Sequence, residues 1–157
     1  MGWIKEEFNF TDMQRLLVKL ADQVKVFQGM TPSELTDLLS HAEKCSFDPD
    51  AVIVKEGNVG TYMYVIIYGE AVVSKRGHDT DVELARLTAA DSFGEMALVD
   101  QETRSATVKA LTPCILVRIN DTALARKPEI AVKFYRNMAK VLSERLRSAN
   151  ELLAWRL

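Results

Sequence analysis

Apolar residues follow two different rhythms along this chain. From Met13 they recur every three or four positions (Met13, Leu16, Leu17, Leu20, Val24, Phe27), the spacing of one helical face. Thr11-Asp12-Met13-Gln14 has the form of a capping box at the start of that helix, and Gly29 is placed to end it. A second box, Thr31-Pro32-Ser33-Glu34, puts proline at the first helical position and predicts a shorter helix burying Leu35, Leu38 and Leu39. From about 44 to 119 the rhythm changes. KCSF, AVIVK, YMYVIIY, EAVVSK, VELARL, ATVKAL and CILVRI are short and rich in Val, Ile and aromatics. They are separated by Asp48-Pro49-Asp50, Gly57-Asn58, Tyr68-Gly69, Arg76-Gly77-His78-Asp79 and Thr112-Pro113. Connections this short cannot carry the crossover helices of a parallel sheet. The expected fold is mainly β with flanking helices: an antiparallel jelly-roll sandwich of seven or eight strands.

After the strands come a turn of helix at Asp121–Leu124, then Pro128, then a long helix from Glu129. Its stripe of Tyr135, Met138, Leu142, Leu146, Ala149 and Leu153 is longer than one small sandwich can cover. The early turns are expected to pack on the sheets; the later ones meet a second copy of the chain or close over a ligand. The whole reads as one domain of 157 residues: N-terminal helices over 1–43, a β-roll over 44–119, and a hinge with a C-terminal lid or dimer helix over 120–157.

Composition narrows the functional classes. Apolar residues at 48% and charged residues at 27% exclude a disordered tail or a coiled-coil rod. No apolar run approaches the ~18 residues of a membrane span, and the first ten residues lack a secretory pattern. Cys45 and Cys114 form no CxxC pair and read as small buried strand residues, so a cytoplasmic setting is expected. A net charge of -2 offers nucleic acid no general attraction, and the basic stretch after 121 reads as a solvated helix face. No helix-turn-helix fits after the long helix, so no DNA-binding domain is expected in this chain. His41 and His78 read as a helix-end and a turn residue, far short of a metal-ligating set. Neither a nucleophile–base spacing nor a Walker loop is present, so no enzyme and no cofactor is expected.

One segment interrupts the strands. Residues 91–105, DSFGEMALVDQETRS, place a short helix at Glu95–Val99 behind Gly94, where backbone N–H groups and the local dipole favour an anion. Gly94 lets such an anion approach the backbone. Arg104 follows nine residues after Glu95 and offers the fork that matches two phosphate oxygens. Glu95 would repel a phosphate unless it accepts a hydroxyl proton from the same ligand. A ribose 2′-OH meets that condition, so the pair describes a 3′,5′-cyclic nucleotide; the plainer alternative is a Glu95–Arg104 ion pair tying loop to strand.

The run FGEMALVDQETRSATVKA resembles the phosphate-binding cassette of the cyclic-nucleotide-binding domain family, the cassette itself falling at 93–107. VIVKEGNVGTYMYVIIYGEAVV, LTAADSFGE and KPEIAVKFYRNMAKVLSERL fit the same family's β-roll and C-terminal helix. The resemblance implies that Glu95 receives the 2′-OH and Arg104 pairs with the phosphate. It further implies that the amides of Gly94, Met96 and Ala97 cradle the phosphate, with Ser105 adding a contact, and that Val73, Leu84 and Ala85 wall the base or sugar. Ala90 stands where the family usually has glycine; a positive φ there would cost roughly 1 kcal/mol. The implied ligand is cAMP, with cGMP left open by the Ser105 hydroxyl. Trp155 either stacks on the base as a lid or packs. The competing reading is a ligand-blind jelly-roll scaffold that docks a partner through its long helix.

Overall fold

The computed structural model describes residues 22–156 together with 3–6, 9, 11, 15 and 19. All seven strand segments read from the sequence form strands, and two further short ones join them. The strands are β1 (Trp3–Glu6), β2 (Glu43–Phe47), β3 (Val52–Val54), β4 (Tyr62–Tyr68), β5 (Ala71–Arg76), β6 (Asp81–Leu87), β7 (Ser92–Phe93), β8 (Thr107–Ala110) and β9 (Cys114–Asn120). They make a five-stranded sheet in the order β1-β2-β9-β4-β7 and a four-stranded sheet in the order β3-β8-β5-β6. Every pairing is antiparallel. The architecture is the expected sandwich, mainly β with flanking helices.

β4 explains how the layers are held. Its alternate residues Met63, Val65 and Ile67 join a core shared with the helices, while Tyr64 and Ile66 join the core between the sheets. A strand covered on both faces reads as the unbroken apolar run YMYVIIY rather than an alternation. On the helical side, α1 (Pro32–Ser40) has the reciprocal cap read from the sequence: Glu34 N–H donates to Thr31 Oγ1, and Thr31 N–H to Glu34 Oε2. It buries Leu35, Leu38 and Leu39 as expected.

The N-terminal zone differs from its reading. β1 lies within the stretch read as helical and pairs with β2. Of the helix expected from Met13, Thr11, Arg15, Lys19, Asp22 and Gln23 are described and helical, while Met13, Gln14, Leu16, Leu17 and Leu20 lie outside the described residues. Of its apolar positions Val24 and Phe27 are described and buried, but Lys25–Phe27 is a 3-10 turn, so Gly29 closes that turn at φ +76°. Only this last turn departs from the helical spacing.

α2 (Asp121–Ala125) and α3 (Pro128–Arg156) complete the chain. α3 buries Ile130, Phe134, Asn137, Met138 and Val141. That face is rotated from the predicted stripe, because Phe134 meets Phe27 (ring centroids 6.3 Å apart) and Asn137 Nδ2 donates to the carbonyls of Val26 and Gln28. A buried amide ties the helix to the 3-10 turn. From Ser143 onward every described residue of α3 is exposed, so the early turns pack and the later ones do not.

Candidate functional site

The cassette begins at β7, which pairs with β4 through Val65↔Ser92 and Tyr64↔Phe93, the last two rings stacked at 5.1 Å. The turn before it carries Ala90 at φ +76°, the left-handed conformation that costs a residue with a Cβ roughly 1 kcal/mol. Hydrogen bonds hold the turn there: Ala90 N–H to Ile66 O, Ile66 N–H to Asp91 O, and Thr88 N–H to the Asp91 carboxylate. Gly94 then takes φ +78° and leads into a 3-10 helix at Glu95–Leu98. Glu95 is thereby turned inward and only 3% exposed.

Arg104 lies across two glycines. A Cβ on Gly94 would sit 2.6 Å from Arg104 Nη1, and one on Gly60 would fall inside the guanidinium. Nη2 donates to Tyr62 O at 2.7 Å and Nη1 to Gly94 O at 3.4 Å. Both glycines are needed so that the planar group can lie against the backbone. Its half-burial pushes the guanidinium pKa below its ordinary value, since the charged form loses hydration. A desolvated cation of this kind gains strongly from an incoming anion.

Glu95 does not pair with Arg104. Its Oε1 accepts from Ser92 Oγ at 2.7 Å and its Oε2 from Arg145 Nη1 at 2.9 Å. Arg145 Nη2 also donates to Ser92 O at 2.8 Å. Arg145 belongs to α3, so the C-terminal helix reaches the cassette through this guanidinium. The Arg145 guanidinium thus faces the buried carboxylate and offsets part of the repulsion that Glu95 alone would present to an anion.

These groups line a cavity of about 510 Å³. Val73, Ala85, Gly94, Glu95, Met96, Ala97, Arg104 and Ser105 all border it, as do Leu87, Leu142, Arg145 and Leu146. Among the amides expected to face an anion, that of Ala97 donates instead to Gly94 O at 3.1 Å, inside the 3-10 turn. Leu84 is a correction. The β5–β6 register slips between Val73↔Ala85 and Ser74↔Glu83, leaving Leu84 in the bulge and 55% exposed, while Leu87 lines the cavity. Ser105 is exposed at the rim, its carbonyl accepting from Lys75 Nζ, and Thr107 Oγ1 accepts from Glu56 N–H as an ordinary strand residue. Trp155 is 89% exposed, so neither the lid nor the packed position is occupied.

The remaining candidates fall where their surroundings place them. His41 caps the C-terminus of α1 and His78 lies in the β5–β6 turn. Cys45 and Cys114 are buried and not disulfide-bonded. Among the described residues no group of His, Cys, Asp and Glu could hold a metal ion. Likewise, no helix there is long and apolar enough to cross a membrane.

Arg145 was not legible as a site residue, because an arginine in a basic helix reads as solvated. Two signals could have found it. A buried carboxylate needs a counter-charge, and Arg145 sits between Leu142 and Leu146 of the apolar stripe.

Residues 44–127, more than half of the chain, match the cyclic nucleotide-binding domain. A CRP-like cAMP-activated global transcriptional regulator of Mycobacterium tuberculosis is 30% identical over 134 residues, covering 82% of this chain. The chain spans 58% of the length of that regulator. The regulatory domain of Toxoplasma gondii PKA, solved with cAMP, superposes with a TM-score of 0.72 at 26% identity, covering 85% of this chain and 51% of that one. A cyclic nucleotide-binding domain from Methylobacillus flagellatus shares the fold over 99% of this chain and 90% of its own, with a TM-score of 0.85 at 22% identity. On these matches the chain belongs to the cyclic nucleotide-binding domain family.

Proposed function

We propose that this domain is a cAMP sensor whose ligand sets the position of α3, with the output carried by a partner or a further domain in the cytoplasm. The observation that carries the reading is one cavity holding a desolvated Arg104, a buried Glu95 and an apolar wall of Val73, Ala85 and Leu87. Arg104 is assigned to the cyclic phosphate and Glu95 to the ribose 2′-OH. The amides of Gly94 and Met96 and the Ser105 rim are assigned to the phosphate, with Ala97 contributing once its turn opens. The cavity volume lies within the ~300–1,000 Å³ of small-molecule sites. A ligand of about 22 heavy atoms at roughly 0.3 kcal/mol per atom gives micromolar binding.

The mechanism follows from differential contacts, since a ligand that binds both states equally shifts nothing. Closure of the cassette on the phosphate moves Glu95, and Glu95 holds Arg145 of α3. The hinge at Pro128 then lets the helix follow. The exposed later turns, with Leu146, Leu152, Leu153 and Trp155 turned to solvent, support the part from Ser143 onward of a homodimer contact read over 138–153, whose Met138 and Val141 are buried in the fold. Light scattering is expected to read twice the 17.7 kDa chain mass; a monomer mass with and without ligand removes the dimer.

A melting scan with cAMP, cGMP and 5′-AMP tests the sensor reading. At about 100 times Kd a specific ligand adds roughly 2.7 kcal/mol, or about 5–10 °C here. The shift is expected with cAMP, to a smaller extent with cGMP, and not with 5′-AMP. No shift with any cyclic nucleotide at millimolar concentration overturns the sensor and leaves the ligand-blind scaffold.

A further inference from the structure

We infer that Ser92 is a positioning residue for the carboxylate that reads the ribose: its hydroxyl aims Glu95 and its carbonyl seats Arg145. The inference rests on the cyclic-nucleotide reading of the cavity and adds a residue that touches no ligand. Ser92 and Glu95 are 7% and 3% exposed, so neither carboxylate oxygen can turn to bulk water for its hydrogen bonds. Oε1 takes the one proton of the Ser92 hydroxyl, and Oε2 takes Arg145. The second prong of the same guanidinium returns to the Ser92 carbonyl, closing a ring of three contacts. Arg145 comes from a helix surface and is half-exposed, so by itself it does not fix the carboxylate plane. Ser92 does, because β7 is paired with β4, which is buried on both faces. Each carboxylate oxygen keeps a lone pair beyond these bonds. The hydroxyl therefore determines which lone pair faces the cavity, and a 2′-OH must find it there. Preorganisation of this kind gives an acceptor its selectivity.

Threonine and valine at position 92 share a shape and differ in the hydroxyl, so any crowding in the buried site is common to both. Isothermal titration with cAMP and with 2′-deoxy-cAMP gives the ratio of their Kd values for each protein. The ratio is expected to be about tenfold in the native chain and within about twofold of that in Ser92→Thr, but reduced about fivefold or more in Ser92→Val. In a Glu95→Gln background, Ser92→Val is expected to leave the ratio unchanged, because its effect passes through that carboxylate. A native chain that binds and discriminates, with equal ratios for the Thr and Val variants, overturns the role of Ser92 alone. A native chain that binds no cyclic nucleotide overturns the reading of the cavity, and the role of Ser92 with it.

Discussion

Replacing Arg104 by alanine lowers the affinity for cAMP about a hundredfold or more, while the protein stays folded and melts within about 5 °C of the parent. A phosphate held by both prongs of a guanidinium loses two charge-assisted bonds of about 1.5–3 kcal/mol each when the group is removed. Little of the fold depends on the same bonds. Among the described residues the Arg104 guanidinium hydrogen-bonds the carbonyls of Tyr62 and Gly94, at the edge of a cavity that water can fill. The half-buried guanidinium already carries a desolvation cost, seen in its lowered pKa, and an arriving anion offsets it. Arg104→Lys recovers part of the affinity, since an ammonium supplies the charge without the fork that lies flat on Gly60 and Gly94. Calorimetric titration of the three proteins, each with a parallel melt, measures this. Parent-like affinity in Arg104→Ala removes Arg104 from the phosphate.

The legible and illegible parts of this protein divide along physical lines. Strands with strong β-branched and aromatic content, such as YMYVIIY and CILVRI, were readable because their composition and their turns agree. β1 and β7 were not. Four residues and two residues carry no periodicity of their own, and they are strands because β2 and β4 offer open edges to pair with. That Glu95 and Arg104 border one cavity was readable because the spacing between them belongs to one local loop. Leu84 was misplaced, and Leu87 missed, because a bulge changes which residues face inward without leaving a mark such as glycine. Arg145 was missed for a different reason. It lies fifty residues from Glu95 along the chain, and only packing of α3 over the cavity brings the two together. Packing against Phe27 and the 3-10 turn set the buried face of α3 toward Phe134 and Asn137, away from the stripe that spacing favoured. Ala90 stands between these cases: the turn's need for a positive φ was anticipated from the resemblance, and the residue accepts it despite its Cβ.

Glu95→Gln abolishes the preference for ribose over deoxyribose ligands. Glutamine keeps the shape of the side chain but loses the charge that both Ser92 and Arg145 address. For cAMP the loss of a charged acceptor for the 2′-OH outweighs the rest, and affinity falls about tenfold, the size of one charge-assisted hydrogen bond. For 2′-deoxy-cAMP no such bond exists to lose. The carboxylate's repulsion of the phosphate disappears instead, and Arg145, released from its ion pair, adds an uncompensated positive charge to the cavity. Affinity for the deoxy ligand therefore holds or rises, and it rises more at low ionic strength, where the exposed part of Arg145 is less screened. Titrating both ligands at two salt concentrations separates these terms. Equal losses for the two ligands would show that Glu95 supports the cassette rather than reading a hydroxyl, and Arg104 would then be left as the group that selects a cyclic phosphate.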